Sequence, residues 1–234
     1  AVLLAASGYH TAAITDGGCA SPHYGLHQGF HCYRVTEQPG MEGSYRLASS
    51  WLRAHAGDRF FLFVQSYEAL APYRNALFSP AGPGEAQQVA AAYDTDILHA
   101  DMLVALLCAE LKRLGILDRT LVVVTSAHGQ DFSRLRRSPE GLEGLFGHAL
   151  TQSLLHVPLV MRAPGLIPQG LAVSHAVALL DVAPTVLALL GIQPVAGPAG
   201  LNLKPFFEGK DSVNPDRPIF SEATCWGPER KALL

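Results

Sequence analysis

Three apolar runs that never alternate with polar residues constrain this chain most: Phe60-Phe61-Leu62-Phe63-Val64, Thr120-Leu121-Val122-Val123-Val124-Thr125 and Val157-Pro158-Leu159-Val160-Met161. A strand with one face in water alternates, whereas a strand covered on both faces by helices, as in a parallel sheet, does not. Each run gives way to a polar or Gly/Pro-containing loop. A fourth segment, Tyr9 to Thr15, is rich in β-branched and small residues and stops at Asp16-Gly17-Gly18, which is turn chemistry. It follows the apolar Ala1 to Ser7, which reads as the end of a helix.

Helices are expected between these strands. From Glu85 to Leu114, Tyr93, Ile97, Ala100, Val104, Leu107, Leu111 and Leu114 recur at steps of four and three, one stripe of a long amphipathic helix ended by Gly115. Asp94, Asp96, Asp101, Glu110, Lys112 and Arg113 are assigned mainly to its solvated faces. A second helix, about Asp181 to Leu190, begins at an Asp suited to capping, accepts Pro184 in its first turn and stops at Gly191. Strands alternating with helices give an α/β fold with a mostly parallel central sheet and helices on both faces. No linker or repeat divides the chain, so residues 1–234 are expected to form a single domain.

Charge and hydropathy narrow the function classes. With 17 Lys+Arg against 20 Asp+Glu, no global positive field favours nucleic acid or an anionic membrane surface. The longest mostly apolar window, Ala176 to Ile192, is broken by Asp181 and Pro184 and falls short of the roughly 20 residues a membrane span needs. Ala1 to Ser7 lacks the basic leader of a signal peptide, and nothing in the chain marks a compartment. The 4 cysteines, Cys19, Cys32, Cys108 and Cys225, are too scattered for a disulfide framework.

In open parallel sheets, ligands bind beyond the carboxyl ends of the strands, here after Thr15, Ser66 and Thr125. The third place is the most informative. Val122-Val123-Val124-Thr125-Ser126-Ala127-His128-Gly129-Gln130 leaves a buried strand, and Gly147-His148 and Leu155-His156-Val157-Pro158-Leu159 follow in order. This series resembles the sulfatases of the alkaline phosphatase superfamily, whose pattern is a buried strand, T-S-D-H-G-E, then G-H or G-K, then x-V-P-L. Other segments are similar to the same family: Gly8-Tyr9-His10-Thr11, Gln28-Gly29-Phe30, Phe61 to Tyr73 as a strand ending in H-x-P-Y, Tyr93-Asp94-Thr95-Asp96-Ile97, Ala163-Pro164-Gly165, Asp181-Val182-Ala183-Pro184-Thr185 and Gly200-Leu201-Asn202-Leu203. The resemblance covers nearly the whole chain. It implies metal-dependent hydrolysis of a sulfate ester on a small molecule or glycan. A divalent cation, usually calcium, would be held by carboxylates and an amide or imidazole beside a nucleophile.

The departures from the pattern matter as much as the matches. Ala127 stands where the family carries a metal-binding Asp, Gln130 replaces the following acid, and Leu70 replaces the His that contacts sulfate. His128 survives as the expected metal ligand, and His148 matches the remaining basic position, a catalytic contact to the anion. The resemblance places the family's paired aspartates and its Cys/Ser-x-Pro-x-Arg nucleophile loop before the helix that opens this chain, so first strand and nucleophile are expected to be lacking here. Cys19-Ala20-Ser21-Pro22 and Cys225-Trp226-Gly227-Pro228 do not replace that loop, because the Cys-to-Pro spacing is one residue too long in each. A chain so altered is expected to hold calcium weakly or not at all and to be inactive. It could serve instead as a pseudoenzyme that binds a partner, or belong among superfamily members that process phosphoesters.

Two further clusters have ordinary explanations. Cys19, His23, His27, His31 and Cys32 are soft or borderline ligands at near-regular spacing, but Pro22, Gly25 and Gly29 undermine helical convergence and no paired C-x-x-C is present. Asp94 and Asp96 lie about 200° apart on a helix and are read as surface charges.

Overall fold

The computed structural model describes residues 1–37, 40–71, 73, 85–134, 136–138, 141–143, 146–147, 149–193, 199–210, 217–223 and 229–233. They fall into two compact units, Ala1–Leu117 with Ser138–Leu142, and Asp118–Arg137 with Glu143–Leu234.

The first unit is α/β. After the short helix α1 (Val2–Ala6), strand β1 (His10–Thr15) lies between β2 (Cys32–Val35) and β3 (Phe60–Gln65), and both pairings are parallel. From Thr11 to Thr15 every β1 residue is buried, as a central strand requires. Its side chains are mostly small. That lets helix α2 (Met41–His55) approach closely, because its own buried face consists of Gly43, Ser44, Ala48, Ser49 and Leu52. The apolar run of β3 holds its place in the sheet but is only half-buried, with Phe63 42% exposed.

Helix α3 (Glu85–Arg113) is 29 residues long and ends where the glycine signal placed it. Its buried face is turned from the expected stripe. Val89, Asp96, Leu103, Glu110 and Leu111 face inward, while Ile97 is exposed together with Leu98, Met102 and Leu106. Asp96 and Glu110 are therefore not surface charges: Asp96 is fully buried and Glu110 nearly so. Glu110 is tolerated because Arg53 Nε donates to Oε1 at 2.6 Å, and Arg113 donates from Nε to Oε2 at 2.9 Å and from Nη2 to Oε1 at 2.7 Å. The Arg113 hydrogen bond, followed by that of Arg53, lowers the Glu110 carboxyl from its ordinary 4.5 to about 2. A depressed carboxyl contributes stability above its unfolded value and loses it as pH falls through the folded one. Unfolding midpoints of the wild type should therefore drop between pH 4.5 and about 2, with a shallower slope in Glu110→Gln, measured by urea titration at successive pH values. Equal slopes would remove Glu110 as a source of the acid sensitivity.

In the second unit, β4 (Val122–Thr125) and β7 (Leu159–Arg162) occupy the expected apolar runs but pair antiparallel. A parallel pair needs a crossover, usually a helix. Between these two strands the described elements are the short strands β5 (Arg136–Ser138) and β6 (Gly141–Glu143), a 3-10 turn and the four-residue α4 (Gln152–Leu155). Helix α5 (Val182–Leu189) follows, with Pro184 in its first turn as expected. Asp181 does not cap it by side chain. Its carboxylate instead accepts from Ala178 N at 2.8 Å and Leu201 N at 2.7 Å and pairs with Arg217 Nη2. Helix α6 (Lys204–Phe207) and the antiparallel pair β8 (Phe220–Ala223) and β9 (Arg230–Leu233) complete the unit. No helix among the described residues is long and apolar enough to cross a membrane.

Candidate functional site

In the first unit the carboxyl ends of β1 and β3 meet the start of α2. Asp16, one residue beyond β1, is 8% exposed and accepts five hydrogen bonds. Thr36 Oγ1 (2.9 Å) and Ser44 Oγ (3.2 Å) donate to Oδ1. Gly40 N (2.8 Å), Ser66 Oγ (2.9 Å) and Tyr67 N (2.8 Å) donate to Oδ2. Beyond β3, Glu68 Oε2 accepts from Met41 N at 2.6 Å, and Oε1 lies 2.5 Å from His99 Nδ1 of α3. The unsatisfied N–H groups and positive dipole end that open α2 are thus met by two carboxylates from strand ends. Sequence reading took Asp16 for a turn residue and did not single out Glu68 or His99.

Leu70 sits in the turn after β3, its N–H donating to Tyr67 O at 3.1 Å. Its aliphatic side chain offers an anion no donor. Tyr73, three residues on, packs edge-on against Tyr93 at 5.7 Å, and its buried hydroxyl has no hydrogen-bond partner among the described residues. Burial, then the neighbouring Tyr93 and Asp96, push its phenol well above the ordinary value.

In the second unit the loop leaving β4 carries Ala127, His128 and Gln130. Ala127 is exposed and Gln130 buried. His128 stacks on Phe146 at 4.5 Å and 13°, and its Nδ1 lies 2.8 Å from Gly129 O. A carbonyl only accepts, so Nδ1 donates in this bond, which leaves Nε2 as the ring's position for a lone pair. The loop is seated by Gly129, whose N–H donates to Leu154 O at 2.9 Å and where a Cβ would come within 1.9 Å of Ser153 O. Asp131 turns onto its own loop: Oδ1 accepts from Ser133 N at 3.0 Å and Ser133 Oγ at 2.6 Å. A calcium-type ion takes about six to eight oxygen ligands, several of them carboxylates. Ala127 supplies none, Gln130 offers an amide and Asp131 holds Ser133 through one of its two oxygens, so this loop falls short of the carboxylates such an ion takes. His148 lies outside the described residues, as do Cys225 to Pro228.

The Cys19 to Cys32 cluster does not gather. His27 Nδ1 bonds Pro22 O at 2.9 Å and His31 Nδ1 bonds Thr11 Oγ1 at 2.8 Å. Cys19 and Cys32 are free thiols.

The family model described as Sulfatase matches residues 37–192, more than half of the chain. The chain belongs to the sulfatase family. It is 31% identical over 173 residues to the steryl-sulfatase of Rattus norvegicus, a match covering 69% of this chain and 29% of that protein. It is 28% identical over 142 residues to arylsulfatase K of Xenopus laevis, covering 61% and 25% respectively. The match thus spans about a quarter of the length of these curated sulfatases. Among solved structures, BT4656 in complex with its substrate D-glucosamine-2-N,6-O-disulfate aligns over 100% of this chain and 70% of its own, with TM-score 0.74 and 16% identity. The phosphonate monoester hydrolase of Silicibacter pomeroyi aligns over 94% and 63%, with TM-score 0.70 and 18% identity. At those identities the structural likeness speaks for the fold alone, the alkaline-phosphatase-like α/β arrangement of this sulfatase-family chain.

Proposed function

We propose that this chain carries the scaffold of a sulfuric ester hydrolase and that, by itself, it does not turn over sulfate esters. The supporting observation is the loop after β4, where Ala127 presents a methyl group at the position of a metal-binding carboxylate. Leu70 agrees with it, replacing a hydrogen-bond donor to the anion by a hydrocarbon. In-line attack on sulfur needs charge on the equatorial oxygens to be stabilised by positioned donors or a cation, and removing one such group typically costs about 100-fold or more in rate.

On this reading His128 keeps a role as nitrogen donor to a divalent cation or as proton acceptor through Nε2, and His148 contacts the anion. Sulfatases as a family use a divalent metal, with calcium the usual ion. Most of the oxygen donors that calcium needs, and a nucleophile, would have to come from residues outside 126–131. The substrate class is a sulfate ester of a small molecule or glycan, with a phosphoester as the related alternative, since the superfamily's scaffold serves both. A pseudoenzyme role as a binding partner is the same reading without chemistry.

The test is hydrolysis of an aryl sulfate and an aryl phosphate by the purified chain, each with calcium, magnesium or manganese. No release above the uncatalysed rate is expected with any combination. Turnover of the sulfate ester that follows enzyme concentration would overturn the proposed inactivity, and turnover of the phosphate ester alone would move the chain to the phosphoester branch.

A further inference from the structure

The opposite end of the first unit's sheet, where β1 and β3 begin, holds a cluster that neither the family pattern nor the strand-end site uses. His10 opens β1, His55 closes α2, and Asp58 lies in the turn that leads to β3. One donor atom from each lies within 4.8 Å of the others, the one such group among the described residues. We propose that His10, His55 and Asp58 bind a divalent transition cation of the zinc class.

The donor set points to that class. Two imidazoles and one carboxylate are borderline ligands that suit zinc and its neighbours, whereas calcium and magnesium take oxygen almost exclusively. Tetrahedral coordination with bonds of about 2.0–2.1 Å puts neighbouring donors about 3.3 Å apart. Asp58 Oδ2 lies 3.8 Å from His10 Nδ1 and 2.8 Å from His55 Nδ1, the latter a hydrogen bond whose proton a cation would displace.

The frame around the three residues is already held. Asp58 N donates to His55 O at 3.0 Å and His10 N to Arg59 O at 2.8 Å, fixing the turn against the sheet. The His55 ring stacks on Trp51 at 4.3 Å and 26°, and His10 lies between His55 (5.5 Å) and His31 (5.9 Å). His31 is committed to Thr11 through Nδ1 and is not one of the three donors. The His10 side chain is 57% exposed, so a fourth coordination position opens to water or to a ligand. Six strand residues at about 3.3 Å each separate this amino end of β1 from Asp16, so the site is distinct from the one at the carboxyl ends. A bound cation would pin the end of α2 to the entry of β1 and β3.

Trp51 provides the readout. In a Trp226→Phe background it is the single indole of the full chain, and paramagnetic cobalt beside His55 should quench it. Calorimetry with zinc is expected to show one equivalent bound, saturable cobalt quenching of Trp51, and mutual competition between the two metals. His10→Gln and Asp58→Asn should each weaken binding at least tenfold with unchanged far-UV dichroism, while Cys19→Ser and His27→Gln should leave it unaltered. X-ray absorption of the zinc-loaded wild-type chain, which needs no variant to fold, should report two imidazoles and only nitrogen or oxygen neighbours. Sulfur in that shell, binding that survives both variants, or cobalt binding without Trp51 quenching would overturn the site.

Discussion

Asp181→Ala should unfold much of the second unit at denaturant concentrations the wild type survives. Asp181 is fully buried, and its carboxylate holds Ala178 N, Leu201 N and the Arg217 guanidinium together. Its own carbonyl accepts from Thr185 Oγ1 at 2.6 Å, and that hydroxyl in turn accepts from Leu203 N at 2.8 Å. One aspartate and one threonine therefore tie the start of α5 to the segment leading into α6. Gly200 completes the junction, because a Cβ there would meet Leu180 O at 2.3 Å. Removing one member of a buried ion pair leaves an uncompensated charge and costs about 3–5 kcal/mol. Typical total stabilities are about 5–15 kcal/mol, so the loss is a large share of what is available. Urea unfolding followed by far-UV dichroism should show the midpoint fall steeply in Asp181→Ala. Asp181→Ala with Arg217→Leu should recover part of the loss, since the stranded guanidinium is then gone as well. An unchanged midpoint in the single variant would show that the pair contributes nothing. A double variant no better than the single one would shift the cost from the charge to the two backbone N–H groups.

The same residue illustrates what a sequence discloses. Asp181-Val182-Ala183-Pro184-Thr185 was legible as the start of a helix because Asp before a first-turn Pro is a local signal. That the carboxylate turns away from the helix depends on Leu201 and Arg217, 20 and 36 positions distant, and no local pattern carries that. Strands β3, β4 and β7 are legible as apolar runs and β1 as a run of β-branched and small residues, but the antiparallel pairing of β4 and β7 is not, since a run of valines fits either direction. Helix α2 is hard to see in the sequence because its buried face, Gly43, Ser44, Ala48, Ser49 and Leu52, recurs at helical spacing but holds a single large apolar residue. The phase of α3 was misjudged for the opposite reason. Apolar residues surround it, Leu98, Met102 and Leu106 outside as well as Val89 and Leu103 inside, so a hydrophobic stripe does not single out one face. The general rule that acids avoid interiors puts Asp96 and Glu110 outward, and at Glu110 it fails because Arg53 and Arg113 accompany the carboxylate. At the site, the expectation at Ala127, Gln130 and Leu70 rests on the family pattern alone, against which a missing side chain stands out in the sequence. The donors that converge on Asp16, and the three residues of the proposed cation site, are gathered only by the fold.

Asp16 gives the second large effect, and the contrast between two substitutions tests the geometry as well as the energy. In Asp16→Ala the N–H groups of Gly40 and Tyr67 and three hydroxyls lose their acceptor at the buried junction of β1, β3 and α2. Each buried donor left unsatisfied costs about 1–3 kcal/mol, and the favourable charge at the opening of α2 disappears too. The loss should therefore rival that of Asp181→Ala. Asp16→Asn should be much milder, for a reason specific to this arrangement. Both groups facing Oδ1 are hydroxyls, Thr36 and Ser44, which can turn and accept. Both backbone N–H groups face Oδ2. An asparagine oriented with its amide nitrogen at the Oδ1 position donates to the hydroxyls and keeps its oxygen for Gly40 and Tyr67. Urea midpoints should accordingly rank wild type, then Asp16→Asn, then Asp16→Ala, with amide exchange in the first turn of α2 accelerated most in the alanine variant. Equal losses in the two variants would mean that the negative charge, and not the satisfaction of the donors, holds this junction. Two variants within about 0.5 kcal/mol of the wild type, the range of an ordinary surface change, would mean that the strand ends and α2 are held in place by packing alone.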